Sequence, residues 1–361
     1  MFKKFLIGFG VVAILLTITP FIAVDYWWIR AFDFPHIQLT FLTALAIVTY
    51  FIKFDFKSKK DYIFMTILVG CCVFQFAKIY PYTAFAGYDV LNASENTDNS
   101  IKILTANVLQ KNKKSEKITN EINVLKPDII LLTEVNKRWL NELNKSATNS
   151  YRYKHEIPLD NAYGMALYSN LELINPQTKY LVSDSIPSIE VKVILKGGDT
   201  IQMYAIHPTP PMPQENSMST DRDTEMMFTA KMSLESDLPV IVLGDFNDVA
   251  WSETSQLFKN VSELLDARIG RGLFNTYSAD SYILKWPLDH IFISKEFRVK
   301  KMEVREDIHS DHYPLYTDFS FEPEKAFEQK PKQVDKEDLK AANDQIKNFE
   351  KNDPRTKKLN K

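Results

Sequence analysis

The chain has 361 residues, 45% of them hydrophobic and 25% charged, which allows two domains or one large one with additions. A net charge of −2 gives no strongly basic balance of the kind that binds bulk nucleic acid by charge alone, although a bound cation at a phosphate site would not register in this count. The two cysteines, Cys71 and Cys72, are adjacent inside an apolar run, so neither a disulfide framework nor a cysteine zinc cluster is available.

Residues 5–24 carry no charge, and about 20 apolar residues suffice for a helix to cross the hydrocarbon core. Further apolar runs cover residues 37–52 and 62–79, with Trp27, Trp28, Tyr80, Tyr82 and Phe85 where interfacial aromatics belong. A cleaved signal peptide fits less well, because no small-x-small cleavage site precedes Asp25 and two more apolar runs follow. Buried globular helices also fit less well, since the runs are apolar all round rather than striped. Residues 1–90 therefore read as a membrane region with about three transmembrane helices. Lys3 and Lys4 mark one end, and Lys53, Lys57, Lys59 and Lys60 lie on the same side if all three runs span. The Lys/Arg bias then makes that side cytoplasmic and puts the rest of the chain on the other face of an inner or plasma membrane.

Residues 91–100 are polar and read as a linker. Strands are expected at residues 101–108, 128–132, 165–168, 189–195, 201–206, 240–243, 290–293 and 315–319, and helices at 113–125 and 220–235. Such a mixture indicates an α/β domain over residues 101–321 with a large sheet system. Residues 322–361 are charged and poor in apolar side chains, and read as a flexible tail; Leu339, Ile346 and Phe349 offer only a thin helical stripe.

Six strand ends carry polar side chains able to do chemistry. Asn107 follows the first strand, Glu134 the second and His207 the sequence IQMYAI; Asp245 and Asn247 follow VIVLG, Asp289 precedes HIFIS, and Asp311 and His312 precede the last strand. Buried carboxylates and imidazoles are costly unless paired or bound to metal, so this repetition points to one converging site. The residue types suit a phosphoester. Carboxylates hold a hard divalent cation, a histidine accepts a proton from water when a carboxylate orients its ring, and an asparagine donates to a phosphate oxygen without adding repulsive charge. His290, by strand alternation, points away from the site. Tyr163, Trp251 and Trp286 are candidates for a cleft wall, and the proline-rich stretch 208–213 is a stiff loop beside His207.

The ordered motifs TANVLQ, LLTEV, AIHPTP, GDFND, LDHIFIS and SDH resemble those of the endonuclease/exonuclease/phosphatase superfamily, the deoxyribonuclease I-like fold, over about residues 101–320. The resemblance implies a four-layered α/β sandwich, two packed mixed β-sheets flanked by helices, here preceded by transmembrane helices. It implies Mg²⁺ or Mn²⁺ held by Glu134, Asn107 and Asp311, and catalysis by His312 paired with Asp289, with Asp245, Asn247 and His207. Asn247 and His207 would also contact the substrate phosphate. The expected function is a membrane-anchored, metal-dependent phosphodiesterase of nuclease-like type, with the bilayer and a nucleic-acid or lipid phosphoester as partners. A phospholipid or sphingomyelin headgroup phosphodiesterase or phosphatase is the first alternative. An inactive membrane-anchored binding protein is the second, and the full residue set argues against it. A transporter is disfavoured because the apolar runs offer no ion pathway.

Overall fold

The computed structural model describes residues 1–22, 25–94 and 99–352. The N-terminal region forms α1 (Phe2–Ile18), the single turn α2 (Trp27–Arg30), α3 (His36–Phe51) and α4 (Lys59–Ile79). Helices α1, α3 and α4 pack on one another through Ala13, Ala46 and Leu68. Lys3 pairs with Asp61 at one end of this bundle, and Gln75 donates to Thr17 Oγ1 (3.1 Å) towards the other. The C-terminal ends of α1 and α4 and the N-terminal end of α3 therefore share the end that meets the rest of the chain. Two segments, Phe2–Phe21 and Lys59–Tyr82, are long and apolar enough to cross a membrane. The second expected span, over residues 37–52, differs from its sequence reading. Trp27–Asp33 and His36–Phe51 meet at 70°, and make a span only if this bent pair counts as one. The break lies at Pro35, which has no N–H to continue a helical ladder.

From residue 100 onwards the elements alternate. They are β1 (Ser100–Asn107), α5 (Glu116–Leu125), β2 (Ile129–Thr133), α6 (Lys137–Ser146), β3 (Tyr153–Ile157), β4 (Met165–Ser169), β5 (Glu172–Lys179), β6 (Ser188–Ile194) and β7 (Thr200–Ile206). There follow α7 (Thr220–Leu234), β8 (Val240–Asp245), α8 (Glu253–Ser262), β9 (Leu265–Asp266), β10 (Asp289–Ile293), β11 (Phe297–Val304), β12 (Leu315–Phe321) and α9 (Lys336–Asn352). Two six-stranded mixed sheets result, in the orders β11-β12-β1-β2-β4-β3 and β5-β6-β7-β8-β10-β9. Each is built around one parallel pair, β1 with β2 and β7 with β8, while the other pairings are antiparallel. Parallel neighbours need a crossover, and α5 and α7 supply it on the outer faces.

The inner faces meet in an aliphatic core that includes Ile103, Leu131, Met203 and Leu243. On the outside, α5 and α6 bury Ile118, Ile122, Trp139 and Leu143 against the first sheet. Helices α7 and α8 cover the second with Met226, Met227, Phe258 and Val261. The expected four-layered α/β sandwich is the fold observed. Central strands are buried on both faces, which is why they were legible as apolar runs. The edge strands β3 and β5 and the polar half of β11 carry too few apolar residues to announce themselves.

Two boundary expectations are corrected. Lys336–Asn352 is not a flexible tail: α9 packs on α7 and α8 and buries Ala342, Ile346 and Phe349. That thin stripe is enough because Leu339, Ala342 and Ile346 join the apolar cluster formed by α7 and α8 over the second sheet. Residues 353–361 lie outside the described residues. The linker is also partly ordered. Leu91 O accepts from Val299 N (3.0 Å) and Ala93 N donates to Val299 O (2.9 Å), so residues 91–93 run along β11, and Val90 enters the core. Residues 95–98 lie outside the described residues.

The packing of α9 and of α7 generates two tests. Ile346→Asp places a charge in the α9 contact and should cost about 2–4 kcal/mol, seen as a lower melting temperature of the purified chain; an unchanged value would detach α9 from the fold. On α7, buried Glu225 accepts from Ser188 Oγ (2.7 Å), while its other oxygen has no partner. Burial, opposed by that bond and aided by nearby Asp221, pushes its carboxyl up to about 8. The folded chain keeps a proton that the unfolded chain releases above about 4.5, so stability falls as pH rises from there through about 8. Glu225→Gln should flatten this slope and raise the melting temperature at pH 8. An equally steep slope in the variant would assign it elsewhere.

Candidate active site

The C-terminal ends of both parallel pairs lie at the same edge of the sandwich, so four strands deliver their end residues to one place. Asn107 ends β1, Glu134 follows β2, His207 follows β7 and Asp245 ends β8; Asp289 begins β10 in register with Asp245, and Asp311 and His312 precede β12. Asn107, Glu134, His207, Asp245, Asn247, Asp311 and His312 all line one cleft of about 660 Å³. Asp289 is the sequence-predicted residue that does not line it. It lies behind His312, whose Nδ1–H donates to Asp289 Oδ2 (2.8 Å).

The other ring nitrogen of His312 lies 3.5 Å from Asp245 Oδ2, and His207 Nε2 lies 3.8 Å from the same oxygen. Asn107 joins the two sheets at this point. Its amide donates to Glu134 Oε1 (3.0 Å) on its own sheet and to Asp245 Oδ2 (3.1 Å) on the other. Glu134 Oε2 accepts from the Gln110 backbone N–H (3.0 Å). Asn247 donates from its side chain to Pro208 O (2.9 Å), tying the GDFND turn to the proline loop.

Two of these residues sit in left-handed backbone conformations that a side chain disfavours, Glu134 at φ 61 and Asn247 at φ 51. Gly244, one residue before Asp245, has φ 141, and a Cβ there would meet Ile206 O at 2.0 Å. The glycine of the GDFND motif is therefore needed for β7 and β8 to approach closely enough to bring His207 beside Asp245.

The electrostatics follow from burial and proximity. Burial alone would push Asp245 up, but the His312 and His207 imidazoles and the bond from Asn107 outweigh it and hold it below the usual carboxylate range. Burial likewise opposes the imidazolium of His312, yet Asp245 and Asp289 flank it and raise its pKa. Asp245, Asp289 and His312 place one possible ligand atom each within 4.8 Å of one another, a spacing compatible with a metal ion.

Sequence reasoning missed several residues here. Tyr277 lies tilted against His312 (ring centroids 4.9 Å) and stacks on Trp286 (6.2 Å). Arg222, buried near the start of α7, donates to Asn247 O (3.0 Å) and pairs with Asp223 (2.7 Å) and Asp248 (3.2 Å), clamping the strained turn. Trp27, Ala31 and Phe34, from the segment before α3, line the cleft itself. No local signal marks Trp27, Ala31 and Phe34 as cleft residues, because that role depends on packing across more than a hundred residues. Of the aromatics singled out in the sequence, Tyr163 and Trp286 line the cleft. Trp251 does not: it packs beneath against Tyr82 and donates to Asp33 O (2.8 Å).

A two-sheet sandwich that gathers Asn, Glu, Asp and His at one strand edge is the architecture of a phosphoesterase class. The sequence model described as the Endonuclease/Exonuclease/phosphatase family matches residues 104–312, and the chain belongs to that family, whose members are phosphoester hydrolases that use divalent metals. Among solved structures, it resembles D. rerio TDP2 complexed with a single-stranded DNA product, at TM-score 0.51 and 15% identity over 62% of this chain and 100% of that one. An endonuclease/exonuclease/phosphatase family protein from Bacteroides thetaiotaomicron aligns at TM-score 0.51 and 17% identity, over 62% of this chain and 96% of that one. At such identities the likeness is one of fold. Among curated proteins no match is found.

The clamp on Asn247 can be tested through stability. Arg222→Met would leave Asp223 and Asp248 buried without their counter-ion and should cost about 3–5 kcal/mol, read as a large fall in melting temperature. A change below about 0.5 kcal/mol would mean that the guanidinium is dispensable to the turn.

Proposed function

We propose that the chain is a membrane-anchored, divalent-metal-dependent phosphodiesterase, with residues 1–90 as the membrane region and residues 101–321 as the catalytic domain. The observation that carries the reading is the buried Asp289–His312–Asp245 arrangement, joined through Asn107 to Glu134 at the same end of the cleft.

The donor set fits a hard cation. Glu134, Asp311 and Asn107 offer oxygen ligands, and among the described residues lining the cleft Lys111 is the one permanent cation beside Glu134, Glu215, Asp245 and Asp311. Mg²⁺ or Mn²⁺ held there would polarise a phosphoryl oxygen and offset developing charge. The three residues around His312 suit a proton relay, because Nδ1 is committed to its 2.8 Å bond with Asp289 and Nε2 is left towards Asp245 and the cleft.

In this reading His312 Nε2 takes a proton from water as its oxygen attacks phosphorus in line with the departing ester oxygen. Asp289 holds the ring in place through Nδ1 and stabilises the imidazolium that forms. Asn247 and His207 bond the phosphoryl oxygens, and the proton passes on to the leaving group. Two carboxylates favour the imidazolium of His312, so abstraction requires cationic charge at the carboxylate end of the cleft. The catalytic domain would lie on the extracytoplasmic face, following the lysines at the opposite end of the bundle.

The test uses the full chain in detergent, because residues 90–93 pack on the sandwich, with bis-p-nitrophenyl phosphate and Mg²⁺. Turnover should vanish with EDTA and fall about 10²–10⁴-fold in His312→Ala and Asp245→Ala, measured at a temperature where each variant's melting curve shows it still folded. Glu134→Gln should raise the Mg²⁺ concentration needed. Near-normal rates in both alanine variants would remove the site from consideration, and a folded wild type inert towards every phosphoester would favour a binding protein.

A further inference from the structure

The catalytic cleft is walled on one side by the chain that leads into the bundle. Trp27, Ala31 and Phe34 line it, and α3 begins two residues after Phe34. This segment is docked, not draped: Trp27 N donates to Ser217 O (2.9 Å), Ser219 N to Asp25 O (2.8 Å) and Trp251 Nε1 to Asp33 O (2.8 Å). From it an aromatic series runs to the reacting end. Phe34 meets Trp286 edge-on (5.7 Å), Trp286 stacks on Tyr277 (6.2 Å), and Tyr277 lies against His312 (4.9 Å). Beside Trp286, the loop residues Tyr282, Ile283 and Leu284 are exposed, and Ile283 O accepts from Gln38 of α3 (2.8 Å). The cleft is thus polar at the Asp/His end and apolar towards the apolar helices.

We propose that this cleft takes an amphiphilic phosphoester drawn from the bilayer, its phosphate at His312 and its hydrocarbon chain along Trp27, Ala31, Phe34 and Trp286, with Tyr282–Leu284 seated in the membrane surface. The inference rests on the phosphoesterase reading and names its substrate class. The occupant is argued from continuity: the apolar wall joins directly to α3, so a lipid tail need not cross water to reach the site. A nucleic acid fits less well, because a polyanion needs several cations along its backbone and Lys111 faces four carboxylates.

The experiment uses the full chain in phosphatidylcholine nanodiscs with Mg²⁺. Binding of ethyl phosphate, decyl phosphate and a single-stranded oligonucleotide is measured by titration calorimetry, for the wild type and for Ala31→Glu, which puts a charge in the tail path. Wild type should bind decyl phosphate roughly a hundredfold more tightly than ethyl phosphate, the gain from burying about three or four methylenes. Ala31→Glu should lose most of that gain while still binding ethyl phosphate. An equal gain in both proteins would reflect partition into the nanodisc and overturn the proposal, as would tighter binding of the oligonucleotide than of decyl phosphate. Hydrolysis of bis-p-nitrophenyl phosphate by the same samples reads the reaction separately. A chain-length gain without hydrolysis would support the lipid cleft and remove the hydrolase reading, whereas hydrolysis without the gain would do the reverse.

Discussion

An imidazole held between two buried carboxylates is the constraint on which the rest of the site depends. His312, Asp245 and Asp289 are all withdrawn from water. Each charge would be expensive alone, and together they are tolerable only because the ring can carry a positive charge between two negative ones. The carboxylates come from neighbouring strands of one sheet, while His312 comes from the loop preceding β12 of the other. The arrangement therefore exists only when the two sheets pack in register. Asn107 reinforces that register, since its single amide spans from Glu134 to Asp245 across the sheet boundary.

That dependence explains why strain collects at this edge. Glu134 and Asn247 hold left-handed conformations just beyond the ends of β2 and β8, where a strand must stop and turn its next side chain into the cleft. Arg222 holds the Asn247 turn from below, and its partners Asp223 and Asp248 are equally buried. The same region receives the segment before α3, through Asp25 on Ser219 and Asp33 on Trp251. One polar network, from Asp25 through Ser219 and Asp223 to Arg222, thus underlies both the strained turn at Asn247 and the docking of the N-terminal region, so displacement of either would be felt by the other.

Much of the site was legible in the sequence because strand ends are punctuated. A run of buried aliphatics followed by Asn, Glu, His or Asp is visible without knowing where the strand lies in a sheet, and all eight expected residues do come to one edge. Asp289 behind the cleft, as against on its surface, was not legible: the antiparallel pairing with Asp245 decides it. His290 shows the same rule from the other side. Alternation sends it away from the cleft, where Arg268 donates to it (2.7 Å) and Phe246 stacks on it.

The apolar helices, the order of the motifs and the chemistry available at the strand ends were determined by the sequence alone, because hydrophobic periodicity and residue type are local properties. The tertiary structure alone decided which residues meet across long separations. It turned a sparse C-terminal stripe into the packed helix α9, drew residues 91–93 onto β11, clamped Asn247 with an arginine from another helix, and made Trp27, Ala31 and Phe34 a wall of the cleft. The reason is that burial and pairing energies belong to contacts, and these contacts join parts of the chain that carry no mark of one another.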